Sequence, residues 1–410
     1  MVTKTVDWVD LTSAATFANG HPWEAYARLR SGSPVAWHPE QPESGSLGFW
    51  AITKWADIRQ VSRQPQRFSS AERGVMMEES DEAGLAAQRL MMLNMDPPQH
   101  DRFKLLVSRG FTPRAAAGLT DRIHRLAAEI VDDVIGRGEC DFVAELAGRL
   151  PSGLIAEFMG IPRADGERLY ELTEVMHTTD LTVAPPERKM AAIGEMLTYA
   201  AEVAQSKRAN PTDDIGSLLV QAEVDGERLT DGEFQWFFLL LVNAGGDTTR
   251  NLVAAGMQLL LEHPSERARL CSDLDRFMPT AIEEMLRYTT PVVYFRRTVM
   301  EDTVLRDEHL RAGDKLVMFY GAANRDEEVF DQPDRFDVGR DPNPHMAFGG
   351  GGPHLCLGMH VARIEIDALF RQVLTRMPDL EAAGERKLMA SNFIAGVHSM
   401  PVRWTARGAR

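Results

Sequence analysis

The chain has 410 residues, three cysteines and a formal net charge of −15, from 45 Lys and Arg against 60 Asp and Glu. A hydrophobic share of 44% with 26% charged residues is that of a soluble globular protein with a sizeable core. The acidic surplus argues against nucleic acid or an anionic membrane as the main partner, and Cys140, Cys271 and Cys356 cannot form a disulfide framework or a four-cysteine metal site.

The N-terminus places Lys4, Asp7 and Asp10 where a secretory signal would be apolar. Residues 34–37 and 49–52 flank a Gly/Pro/Ser-rich stretch and predict a β-hairpin with a long loop. Residues 70–84 are polar, acidic and Met-containing and read as a mobile loop. From 99 to 284 the pattern is helical, with apolar residues at three- and four-residue spacing over 119–136 and 141–160. One long helix is predicted over 231–263, stopped by Pro264 and roughly 50 Å long. It holds the longest apolar run, 234–246, which at 13 residues is too short for a bilayer span of about 20. A short helix follows over 279–288. Strands are expected over 294–305 and 315–320 around a turn at 311–314. Residues 324–352 lack periodicity, and a long irregular segment in a compact chain usually binds something. Helix returns over 357–377, and short strands end the chain. Nothing marks a boundary, so residues 1–410 read as a single domain, cytoplasmic and with reduced thiols.

Phe-Gly-Gly-Gly-Gly-Pro-His-Leu-Cys-Leu-Gly, residues 348–358, carries the most chemistry. A glycine loop runs into a helix, and Cys356 sits at its N-terminal edge. Free N–H groups and the helix dipole there stabilise a thiolate, which makes a nucleophile or a metal ligand. A small buried cysteine at a helix start is the plainer alternative. In the long helix, Ala244-Gly245-Gly246-Asp247-Thr248-Thr249 contains two glycines that cost helix stability. They read either as room for a flat ligand or as a helix–helix contact, and Thr248 as a break in the hydrogen-bond ladder. An acid beside an alcohol could relay protons.

The segment 348–358 resembles the haem-binding loop of the cytochrome P450 family, with one residue more than usual between Phe348 and Cys356. That length is similar to a bacterial subgroup of sterol, branched-lipid and terpenoid hydroxylases. Three further matches follow the family's order. Residues 244–249 resemble the oxygen-activating motif. Glu284 and Arg287, three apart, resemble its buried Glu-x-x-Arg pair, with Arg335 as the expected third member. Residues 96–104 resemble the entry to a haem-contacting helix, with His100 and with Lys104 where the family usually has arginine.

The resemblance implies a mainly α fold with small β-sheets, a triangular prism with haem b between the long helix and the cysteine-loop helix. It implies Cys356 as the iron ligand, with Phe348, Gly349, Gly358, Ala244 and Gly245 against the haem. His100, Lys104, Arg297 and His354 would meet the propionates. Asp247 and Thr248 would deliver protons to dioxygen. Arg296 is expected to be solvated or in a surface pair. Positions corresponding to the family's pocket are Met91, Met95, Val242, Asn243, Val292, Val293, Phe295, Phe393 and Ile394, with 76–77 and 176–179 in access loops.

The implied activity is monooxygenation of a lipophilic terpenoid, steroid or branched fatty chain. Epoxidation, desaturation or coupling in secondary metabolism is the alternative, and a non-catalytic haem sensor a further one. Only 52 residues follow Gly358, so electrons are expected from a separate ferredoxin and its reductase. The donor is expected on the face 100–114, where Arg102, Lys104, Arg109 and Arg114 oppose Asp101. The protein is expected to be a monomer.

Overall fold

The computed structural model describes residues 5–40, 46–177, 184–224 and 226–406. Its axis is the central helix Asp231–Glu262. Thr230 starts it with a reciprocal cap: its hydroxyl accepts from the Glu233 N–H at 3.2 Å, and Glu233 accepts from the Thr230 N–H at 2.8 Å. Pro264 begins the next helix, Pro264–Ser272, as expected of a residue with no N–H to give. The central helix is unbroken α-helix through Thr248, so the expected local break is corrected. The Thr248 hydroxyl donates to the Ala244 carbonyl at 2.6 Å, within the helix.

Helices Arg149–Met159, Arg163–His177 and Pro186–Ala209 pack against the central helix. Leu274–Thr289 and the cysteine helix Met359–Arg376 also pack against it. Their apolar stripes form two cores. One joins Ile123, Leu126 and Ile130 to Met257, Leu260 and Phe370. The other joins Phe103 and Leu172 to Phe234, Phe238 and Val242.

A five-stranded sheet lies beside the helices. Its strands are β1 (Val35–Pro39), β2 (Gly48–Ile52), β3 (Phe68–Ser69), β4 (Tyr294–Val299) and β5 (Lys315–Phe319), in the order β1-β2-β5-β4-β3. β1 and β2 are the expected hairpin, paired Val35 to Ile52. The turn before β5 closes where the Arg311 N–H donates to Asp314 at 2.9 Å.

Residues 70–84 do not form a free loop, which corrects the sequence reading. The Arg296 N–H of β4 donates to the Val75 carbonyl at 2.8 Å, and Lys315 of β5 donates to the Met77 carbonyl at 2.8 Å. Glu79 pairs with Arg296 at 2.8 Å and with Lys315 at 3.0 Å. Arg296 is therefore buried in an ion pair and not solvated. Met77 is core, beside Tyr294 and Phe319. Glu82–Gln88 then forms a short helix.

Candidate functional site

The loop that carries Cys356 is shaped by packing against helix Trp55–Ser62. A Cβ on Gly350 would collide with the Ser62 side chain, and one on Gly352 with the Ser62 carbonyl. Gly349, Gly351 and Gly352 have φ of 99°, 89° and 76°, a region that favours glycine. The Cys356 N–H donates to the Phe348 carbonyl at 3.0 Å, closing the loop on itself. Arg363 stacks over the Phe348 ring at 4.7 Å and forks onto Glu283 at 2.6 and 2.7 Å.

Cys356 has accessible surface, yet it is enclosed deeply enough that burial pushes its thiol above the ordinary value. The two facts together place it on an internal cavity wall. The N–H groups of Gly358 and Met359, and the charges of Arg363 and Lys104, oppose that upward shift. The sequence expectation of a net lowered thiol is thus corrected: helix-end stabilisation is present, but burial outweighs it. A Cβ at Gly358 would meet nothing within 4 Å, so this glycine also borders open space.

The central helix contributes a second cavity wall. Ala244 is exposed although Val242, Gly246 and Asp247 around it are buried. Thr248, one turn on, is only half-buried. Gly245 keeps accessible surface, while its Cβ direction meets Ile155 at 3.0 Å. Gly246 likewise meets Tyr170 at 3.6 Å. The glycine pair lets two neighbouring helices approach. Asp247 is fully buried and pairs with Arg250 at 3.2 Å, and Arg250 reaches Glu174 on the helix Arg163–His177.

Four basic side chains gather at one place. Arg297 is buried, and burial lowers its pKa. Among the described residues no carboxylate ion-pairs with it, and it donates to the Arg296 carbonyl at 2.7 Å. The His100 and His354 rings lie 4.4 Å apart. Burial, then the charges of Arg297, His100 and Lys104, hold His354 down to about 2. His354 also contacts the Ser70 hydroxyl at 3.1 Å. Nearby Asp96 is engaged by Ser69 and Ser70. An anion-binding group beside a cavity thiol fits a haem with two propionates.

Lys104 does something the sequence did not indicate. Its ammonium donates to the Pro353 carbonyl at 2.6 Å, tying helix Gln99–Val107 to the cysteine loop. Its placement purely as a propionate ligand is corrected to that extent. Arg102 is held by Glu227 at 2.8 Å and Glu233 at 3.4 Å, so the expected positive face is partly neutralised. Arg114 is exposed, and the Arg109 side chain lies outside the described residues. Arg63 lies against Gly351 and is exposed. No sequence motif pointed to it.

Glu284 and Arg287 are both wholly buried and joined at 2.7 and 2.8 Å. The third member is corrected. Arg335 is 56% exposed, with Asp337 4.0 Å away, and only its carbonyl joins the network, accepting from Arg287 at 3.2 Å. Arg340 reaches Glu284 at 3.1 Å in its place.

Of the expected pocket residues, Met91, Asn243, Val292, Phe295 and Phe393 are half-buried. Met95, Val242, Val293 and Ile394 are corrected: each is buried, Val293 in one cluster with Tyr294 and Phe319. Met176 is half-buried, and residues 178–179 lie outside the described residues. One buried acid escaped the sequence reading. Glu365, nine residues after Cys356, has its carboxyl pushed up to about 8 by burial, and the Thr249 hydroxyl lies 3.4 Å away.

The family profile described as Cytochrome P450 matches residues 186–387. The chain is 41% identical over 391 residues to the methyl-branched lipid omega-hydroxylase of Mycobacterium bovis (strain ATCC BAA-935 / AF2122/97), covering 93% of this chain and 90% of that one. It is 36% identical over 409 residues to the steroid C26-monooxygenase of Rhodococcus jostii (strain RHA1), covering 97% and 85%. The structure is similar to Mycobacterium marinum cytochrome P450 CYP268A2 in complex with pseudoionone, with a TM-score of 0.92, 38% identity and coverage of 98% and 100%. It is also similar to CYP109E1 from Bacillus megaterium in complex with testosterone, with a TM-score of 0.85, 31% identity and coverage of 96% and 100%.

Proposed function

As this chain belongs to the cytochrome P450 family and is a haem b monooxygenase, we propose that its substrate is a terpenoid, a steroid or a branched fatty chain. Supporting this are relatives named for branched lipids and steroids and neighbours solved with pseudoionone and testosterone. The observation that carries the assignment of roles is the accessible yet enclosed Cys356, with the buried Arg297, which among the described residues has no carboxylate ion pair, close to His354.

Cys356 would hold the iron. Arg297, His100 and His354 would hold the propionates, and Ala244, Phe348, Gly349 and Gly358 would border the ring. When bound, the haem supplies oxygen activation, with the thiolate donating electron density. The chain's own contribution is orientation and proton handling. Thr248 Oγ1 would hold a proton toward the cavity once it leaves the Ala244 carbonyl. Asp247, next to it, would resupply that proton, and Arg250 would hold the Asp247 carboxyl in place. The half-buried apolar residues, with Phe295 and Phe393 rings 5.8 Å apart, would seat the substrate and exclude water.

Residues 1–410 would act as one catalytic domain and as a cytoplasmic monomer. No described helix is long and apolar enough to cross a membrane. Electrons would come from a ferredoxin and its reductase, docking where Arg63 and Arg114 remain exposed.

The test is spectroscopic and chemical. Reduced wild-type protein should show the red-shifted carbon monoxide band, and Cys356→Ser should lose it. Turnover under labelled oxygen gas should place one labelled atom in the product. Survival of the band in Cys356→Ser would remove the ligand assignment.

A further inference from the structure

The Glu283 carboxylate, on helix Leu274–Thr289, joins two groups that meet the cysteine loop from different elements. Its Oε1 accepts from Arg363 Nε at 2.6 Å. Its Oε2 accepts from Arg363 Nη2 at 2.7 Å and from His345 Nε2 at 2.9 Å. His345 Nδ1 accepts from the Ala347 N–H at 3.2 Å, so the ring carries its proton on Nε2 and is neutral. The His345 side chain is only 4% exposed. The cluster thus holds one cation and one anion against the loop, and neither charge takes part in proton handling or in seating the substrate.

The charge pair has a direction. Arg363 belongs to the cysteine helix itself, where its Nη1 donates to the Met359 carbonyl at 3.2 Å. The Met359 N–H and the Arg363 charge both favour the ionised form of Cys356. The guanidinium also covers the Phe348 ring at 4.7 Å, and the Phe348 carbonyl accepts from the Cys356 N–H at 3.0 Å. The charges that act most on the thiol are those of Arg363 and Lys104, so the positive end of the pair lies toward it. The Arg363 and Glu283 side chains are mostly buried, and water screens such a pair only in part. Glu283 is held down to about 2, so its charge is complete at neutral pH.

We propose that Arg363 and Glu283 are positioning residues that set the reduction potential of the haem bound at Cys356. Reduction adds one electron from the external donor beside the thiolate, with no bond made or broken, and a neighbouring cation favours it. Arg363 raises the potential and Glu283 moderates the rise. His345 holds the carboxylate on Arg363 and adds no charge of its own. This deepens the monooxygenase reading above and rests on it.

Spectroelectrochemical titration of the haem-loaded protein at neutral pH tests it. Arg363→Gln should move the reduction equilibrium about tenfold against the reduced form, which is about 59 mV for one electron. Glu283→Gln should move it about threefold the other way, since the carboxylate acts from behind the guanidinium. Arg363→Lys keeps the charge and should stay within about twofold of wild type. Opposite signs are the readout that a merely structural pair would not give, because a loosened loop would move both variants alike. The carbon monoxide band of each variant establishes that the thiolate site has folded. Shifts of the same sign, or an unchanged or lowered potential in Glu283→Gln, overturn the proposal. If Arg363→Gln does not hold haem, Glu283→Gln and Arg363→Lys decide, and a large shift in the latter also overturns it. Failure of the monooxygenase reading looks different, since the wild-type carbon monoxide band itself would be missing.

Discussion

Arg340, not Arg335, should carry the stability of the Glu284 network. Glu284 and Arg287 have side chains with 0% exposure, and Arg340 is 11% exposed. Glu284 accepts from Arg287 twice, from the Asp337 N–H at 3.0 Å, from Asn343 at 3.0 Å and from Arg340 at 3.1 Å. Arg340→Met removes one charged hydrogen bond from a buried carboxylate, worth about 1.5–3 kcal/mol. It also frees the carbonyls of Asp331, Gln332 and Arg335, which Arg340 holds at 2.7–3.1 Å. Those groups lie near the surface and return to water, so they add little. The expected loss is about 1.5–3 kcal/mol, below the 3–5 kcal/mol for a wholly unpaired buried charge, because Arg287 stays. Arg335→Met should cost less than about 0.5 kcal/mol, since it removes an exposed side chain and leaves the carbonyl that Arg287 uses. Urea unfolding followed by far-ultraviolet circular dichroism measures both. A cost for Arg335→Met equal to or above that of Arg340→Met would refute this account of the network.

Other perturbations have equally definite outcomes. Thr248→Ala should keep reductant consumption while product falls and hydrogen peroxide rises; unchanged coupling would remove Thr248 from proton delivery. Lys104→Met deletes the bond to the Pro353 carbonyl, so more of the reduced protein should show the inactive, shorter-wavelength carbon monoxide band, with Lys104→Arg partly restoring the normal one. If Lys104→Met leaves that spectrum unchanged, the side chain does not brace the loop. Glu283 is held down to about 2 against the cost of burial by hydrogen bonds from Arg363 and His345. Its folded pKa is depressed, so its stabilisation is complete above about 4.5 and is lost as pH falls toward 2. Glu283→Gln should therefore flatten the melting temperature across that window relative to wild type, and parallel curves would contradict the assignment.

Much of the frame was legible because its signals are local. The capping box at Thr230 and the proline after the central helix set that helix within a residue of the expected span. Cys356, Glu284 and Arg287 stood out because each belongs to a short pattern whose members touch. What escaped depends on which distant segment a side chain meets. Residues 70–84 look like a loop because they are polar, yet Glu79 finds Arg296 and Lys315 more than two hundred positions away. Arg63 and Glu365 carry no pattern of their own, and only the fold puts them beside the cysteine loop and Thr249.

The glycines show why a motif does not by itself name the neighbour it makes room for. A glycine in a helix indicates that something comes close, not what it is. At Gly245 and Gly246 the close neighbours are Ile155 and Tyr170, and at Gly350 and Gly352 the neighbour is Ser62. These glycines press protein against protein, and by doing so they fix the walls of the cavity that Ala244, Thr248, Cys356 and Gly358 border. Enlarging one of them should displace a neighbouring helix before it touches the cofactor. Gly245→Ala is the sharpest case, because its Cβ would stand 3.0 Å from Ile155. Its effect should be relieved by Ile155→Val or Ile155→Ala, a rescue expected only if the glycine serves helix packing. A variant that loses haem and is not rescued by the smaller partner would return Gly245 to the cofactor's surface.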